Sequence, residues 1–125
     1  MDAVVHFEIP ADNVKRAQNF YSRVFGWKMS GIPGMDYTLV ETTPIDERNM
    51  PKERGAINGG MQKRQKPVKS LVITINVSDI DDALKRIEKT GGKVEQKKSK
   101  VADMGYAAYF KDTEGNVVGL WQNLG

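Results

Sequence analysis

Val4-Val5-His6-Phe7-Glu8-Ile9, at residues 4–9, and Leu71-Val72-Ile73-Thr74-Ile75-Asn76-Val77, at residues 71–77, decide the fold. Both alternate. In the first, Val5, Phe7 and Ile9 fall on one side and Val4, His6 and Glu8 on the other. In the second, Leu71, Ile73, Ile75 and Val77 share a face, and Val72, Thr74 and Asn76 share the opposite one. Period-two alternation marks a half-buried strand, because successive side chains point to opposite faces. A helix pattern follows each strand. Asp12 is expected to cap the first helix and Ser78 or Asp79 the second, supplying an acceptor to amides that the first turn leaves unbonded. Ser78 and Asp81 also have the spacing of an acidic capping box. Val14, Ala17, Phe20, Tyr21 and Val24 form one apolar stripe, and Ile80, Ala83, Leu84 and Ile87 the other. On that spacing Phe20 and Tyr21 pack into the core. Gly26 and Gly91-Gly92 end the helices, where the chain needs a positive φ.

The strand–helix pair is repeated. Val14 and Ile80, Ala17 and Ala83, Tyr21 and Ile87, and Gly26 and Gly92 all differ by 66 positions. The same offset makes His6 equivalent to Val72 and Glu8 to Thr74. Residues 55–61 match 115–121 at an offset of 60, which pairs Gly59 with Gly119 and Met61 with Trp121. The smaller offset places a longer interior loop in the first half, at residues 43–54. Each half has room for two more strands, at 27–32 and 36–42, then at 93–101 and 105–111, and residues 113–116 form a turn. Residues 62–69, rich in Gln and Lys with Pro67, read as a linker. The expectation is one α+β domain over residues 1–125. It consists of two tandem βαβββ modules, 1–62 and 70–125, with each helix on one face of a curved sheet.

Composition narrows the function. A chain of 125 residues with 39% apolar residues can bury a core without staples. The absence of cysteine excludes disulfides, thiolate metal sites and a Cys nucleophile. No apolar run approaches the roughly 20 residues of a membrane helix, and the acidic start is unlike a signal peptide. The cytoplasm is the expected location, with no membrane partner. The net charge is +3. Lys63-Arg64-Lys66-Lys69 and Lys97-Lys98-Lys100 have no interleaved aromatic residue, so they read as solvated linker and strand edge, with no nucleic-acid partner.

His6-Phe7-Glu8-Ile9-Pro10-Ala11-Asp12, Phe20-Tyr21, Phe25-Gly26-Trp27 and Asp112-Thr113-Glu114-Gly115-Asn116, set on this repeat, resemble the glyoxalase/bleomycin resistance/dioxygenase (vicinal oxygen chelate) superfamily, in its glyoxalase-like branch. The resemblance covers nearly the whole chain. It implies paired modules forming a U-shaped sheet around a cleft. In metal-dependent members, about four ligands lie on the first and last strands of each module. Carried onto this sequence, those positions fall on His6, Val72, Gly59 and Gly119. Val cannot ligate and Gly has no side chain. His6 is the only His. A catalytic divalent metal needs at least three protein ligands. Glu8 and Glu41 lie on strands where they can assist, but nothing in the sequence brings them together. The expectation is therefore no bound metal or other cofactor.

His6 has two readings: a neutral base facing the cleft, or a side chain hydrogen-bonded to a neighbouring strand. Glu8 either takes a ligand group or pairs across the sheet, and these two are the candidate catalytic residues. Tyr37, Glu41, Gly59, Met61, Val72, Thr74, Tyr106, Gly119 and Trp121 are the candidate ligand-binding set. In it, glycines form a floor and aromatic and thioether side chains the walls, unless the large residues simply fill a module interface. The expected function is metal-free binding of a small molecule by a homodimer. The competing reading is a metal-dependent glyoxalase-like lyase, isomerase or dioxygenase acting on a small carbonyl compound.

Overall fold

A computed structural model describes residues Met1–Gly125. Its elements are β1 (Val4–Ala11), α1 (Val14–Phe25), β2 (Lys28–Gly31), β3 (Thr38–Glu41), β4 (Gly59–Lys63), β5 (Val72–Asn76), α2 (Ile80–Lys89), β6 (Lys93–Val101), β7 (Gly105–Lys111) and β8 (Val117–Asn123). This is βαβββ twice over, an α+β fold. The residues divide into two compact units, His6–Leu71 and Val72–Gly125, with Met1–Val5 belonging to the latter. The Asn76 N–H donates to the Ala3 carbonyl at 2.9 Å and ties these first residues down.

In the first unit the strand order is β2-β3-β4-β1, with β1 parallel to β4 and the other pairs antiparallel. Glu8 stands opposite Gly60 and Ile9 opposite Met61. Ile9, Ala11, Val40 and Met61 are buried under α1, joined by Phe7, Val14, Ala17, Tyr21 and Trp27. The cap of α1 is Asn13, not Asp12: its side-chain oxygen accepts from the Arg16 amide at 3.0 Å. Asp12 pairs instead with Arg64 at 2.9 Å. Gly26 ends the helix at φ 74°, a conformation that favours a residue without Cβ. Tyr21 packs in the core, stacked on Trp27 with ring centres 5.1 Å apart. Phe20 does not join it and is 56% exposed, because its place on the helix carries it past the edge of the buried stripe. The long loop closes on Asn58, whose side-chain oxygen accepts the Thr42 and Thr43 amides at 2.8 and 3.1 Å.

The second unit repeats the plan with order β5-β8-β7-β6. Thr74 stands opposite Gly119 and Ile75 opposite Leu120 on parallel strands. Val77, Ile80, Ala83, Leu84, Ala108, Phe110 and Leu120 form the core under α2. Asp79 caps α2, accepting from the Asp82 amide at 3.1 Å. The edge strand β6 carries Lys97, Lys98 and Lys100. Lys98 reaches Asp81 at 2.7 Å and lies over the Tyr106 ring, 5.1 Å from its centre.

Candidate functional site

The parallel pairing Glu8↔Gly60 sets the site of the first unit. Registered neighbours share a face, so Glu8 and Gly60 look away from α1, while Phe7, Ile9, Gly59 and Met61 look toward it. Tyr37, just before β3, lays its ring across Gly60. A Cβ there would collide with the phenol oxygen, so only glycine leaves room for this ring. The Tyr37 hydroxyl is thereby held between two β1 side chains, 2.8 Å from His6 Nε2 and 3.1 Å from Glu8 Oε2. Gln62, two residues beyond Gly60, donates its amide to the same Glu8 oxygen at 3.0 Å.

The proton order follows from donor capacity. The Tyr37 O–H donates to the Glu8 carboxylate, so its oxygen accepts from His6 and the imidazole carries its proton on Nε2. Burial pushes the His6 imidazole down to about 4, so the ring is neutral at neutral pH. Glu8 is 5% exposed, and its carboxylate sits among donors that offset the cost of its burial. The face thus holds a neutral imidazole, a phenol, a carboxylate and an amide within hydrogen-bond reach of one another. Such a group can bind and orient polar parts of a ligand or pass a proton along the chain.

Several residues lie elsewhere than the sequence suggests. Met61 is not equivalent to Trp121. Its counterpart is Leu120, and it is fully buried under α1 with Gly59 beside it against Phe7. Tyr106 packs toward α2 beside the core of the second unit. The register places Tyr109 opposite Gly119, and Ala107 opposite Trp121, on the face away from α2. There Thr74 lies against Gly119, where a Cβ would come 2.8 Å from its Oγ1, and the Trp121 ring covers Gly105. The Trp121 indole N–H donates to the Asn123 side chain at 2.8 Å. Val72 is buried. Glu41 shares the face of Leu39 and Gly60 but takes no part in the His6 network. Gly60, Gln62 and Tyr109, which share these faces, are not among the sequence candidates. The doublet Gly59-Gly60 offers two alignments with Gly119, and only strand register selects the second, which changes the offset to 119 − 60 = 59.

Residues 3–43 match the family model described as bleomycin resistance protein-like N-terminal. A glyoxylase-like domain-containing protein of Didymella fabae is 31% identical over 114 residues, covering 87% of this chain and 84% of that one. The chain belongs to the glyoxalase/bleomycin resistance/dioxygenase superfamily. Solved structures agree in fold. A superfamily member from Vibrio splendidus 12B01 gives a TM-score of 0.63 at 13% identity, covering 99% of this chain and 100% of that one. A variant of Streptomyces coelicolor methylmalonyl-CoA epimerase, in complex with 2-nitronate-propionyl-CoA, gives 0.65 at 12%, covering 98% and 97%.

For a superfamily member of this kind, the residues do not fit a divalent metal. No three His, Asp or Glu side chains come together anywhere in the chain. His6 and Glu8 are both engaged by one phenol oxygen. On the same face of the first unit Gly60 has no side chain, and Gln62 offers a carboxamide already directed to Glu8. No helix is long and apolar enough to cross a membrane.

Proposed function

We propose that this superfamily member binds a small molecule without a metal, through the face formed by His6, Tyr37, Glu8 and Gln62. The observation that carries the reading is the Tyr37 hydroxyl, held 2.8 Å from His6 and 3.1 Å from Glu8. That hydroxyl engages both side chains of the network that carry metal-ligating atoms, which supports a metal-free reading. Such a network suits a ligand that combines an apolar body with hydrogen-bonding groups, since a few placed polar groups fix orientation while apolar contact supplies affinity. His6 and Glu8 are the residues to orient it, with Tyr37 and Gln62 completing the set. A cytoplasmic homodimer is part of this reading, and a light-scattering mass of one 14.0 kDa chain would remove the dimer from it.

The test is metal analysis of protein purified without chelator, combined with a thermal-shift screen of small carbonyl, carboxylate and aromatic compounds. The expected result is no stoichiometric metal and at least one stabilising compound whose effect is lost in Tyr37→Phe. Stoichiometric Ni, Zn, Mn or Fe that leaves with the His6→Ala substitution would establish the metal-dependent reading instead.

A further inference from the structure

The helix α1 is amphipathic, yet it has no buried residue, whereas α2 buries Ile80, Ala83 and Leu84. Its outer side keeps Phe20 and Val24 each 56% exposed, one turn apart. Together with Asn13, Arg16, Asn19 and Arg23, these two line an open groove of about 790 Å³. Every charged residue of the helix, Lys15, Arg16 and Arg23, is basic. None of the three takes part in any of the chain's ion pairs. The nearest acid in sequence, Asp12, is already held by Arg64. The groove therefore joins apolar surface to uncompensated positive charge, a combination that solvation alone does not call for.

From this we infer that the outer face of α1 is a docking surface for an acidic protein segment that inserts an apolar side chain between Phe20 and Val24. Arg16 and Arg23 are seven residues apart, about 10 Å along the helix axis. Two carboxylates seven residues apart on one helical stripe, with a large apolar residue a turn from each, span that distance. The aliphatic stems of the arginines extend the apolar floor while their heads take the carboxylates. A second copy docked through its own α1 or through the start of α2 does not match this chemistry. Docking α1 on α1 about a two-fold axis gathers the three cations of each copy with no acid, and the acidic start of α2 is occupied, Asp81 by Lys98 and Asp82 by Arg86. This surface is separate from the His6 network, and neither reading depends on the other.

The experiment selects binders from a 12-residue peptide display library rich in Asp, Glu, Leu and Phe, using the full chain as bait. Enriched peptides are then titrated against wild type, Arg16→Glu/Arg23→Glu and Phe20→Ser. Because all three positions are exposed, an unchanged melting temperature in the variants separates binding from folding. The expected result is acid–apolar–acid peptides that shift backbone NMR signals of α1. Their affinity should drop by about tenfold or more in the charge-reversed protein and weaken as salt rises. Peptides that bind the variants equally well, or that map to another surface, overturn the proposal. So does failure to enrich any acidic peptide. Phosphatidylserine vesicles that bind through the same face when no peptide does assign it to a membrane, and a cross-linked dimer with α1 buried assigns it to a second copy. Either outcome replaces the acidic segment.

Discussion

The site rests on Gly60. Replacing it with Ala drives the Tyr37 ring out of its place over β4 and breaks the phenol's bonds to His6 and Glu8. The half-buried His6 then loses the phenol, a loss of about 1–3 kcal/mol for a group left unsatisfied, while the buried Glu8 keeps the Gln62 amide. Gly59→Ala should cost more, because its Cβ would lie 2.5 Å from the Phe7 carbonyl oxygen, and backbone yields less readily than a ring. Urea melts of the two variants check the order, and a milder Gly59→Ala would show that β1 shifts easily. His6 makes stability pH-dependent. Its folded value of about 4 lies below the ordinary value of 6.5, so between them the unfolded chain takes up a proton that the folded chain refuses. This contribution is complete above pH 6.5 and is lost as pH falls toward 4, about 3 kcal/mol over the window. Denaturation at about pH 4, 5.5 and 7 in wild type and His6→Asn measures it, since the substituted protein should lose that part of the slope. His6, Glu8 and Tyr37 are each candidates from the sequence, and the structure brings the three together. The bond joining them was not legible there, because Tyr37 lies 31 positions from His6 and only β-sheet register brings it across Gly60.

At the scale of elements the sequence carries more. In the second module the strands expected at 93–101 and 105–111 are β6 and β7 to the residue, and Asp79 caps α2 as one of the two expected caps. In the first module the expected 27–32 and 36–42 shrink to four residues each. Trp27 leaves the strand pattern to stack on Tyr21, and the turn around Gly34, at φ 78°, takes the rest. Hydrophobic periodicity places both helices but does not say how deeply each is buried. Phe20 belongs to an apolar stripe and still faces outward, because an i,i+3,i+4 pattern marks a side of the helix and not the width of the sheet beneath it. The two helices should therefore differ in tolerance. Ile80→Ala, at a fully buried position, is expected to cost about 2–5 kcal/mol, and Phe20→Ala about 0.5 kcal/mol or less. Denaturant midpoints compare them directly, and equal losses would mean that Phe20 packs.

For the whole molecule, the repeat of strand and helix, the F-Y…F-G-W element and the closing Asp112–Asn116 turn were enough to find the superfamily. The turn owes its form to Asp112, which accepts from the Glu114 and Asn116 amides at 2.8 and 2.9 Å. On the proposed metal-free reading, glycine and hydrocarbon stand at positions that the resemblance assigns to ligands, and a phenol lies between His6 and Glu8. His6 is the only His in the chain, so one imidazole resonance reports on the site without assignment. The deciding measurement is the nitrogen NMR spectrum of that ring against pH, with and without an equivalent of Zn or Ni. The expected result is an Nε2–H tautomer that titrates near 4 and is unmoved by either ion. A ring that titrates near the ordinary 6.5, or one that shifts and loses its proton when metal is added, would contradict a metal-free site.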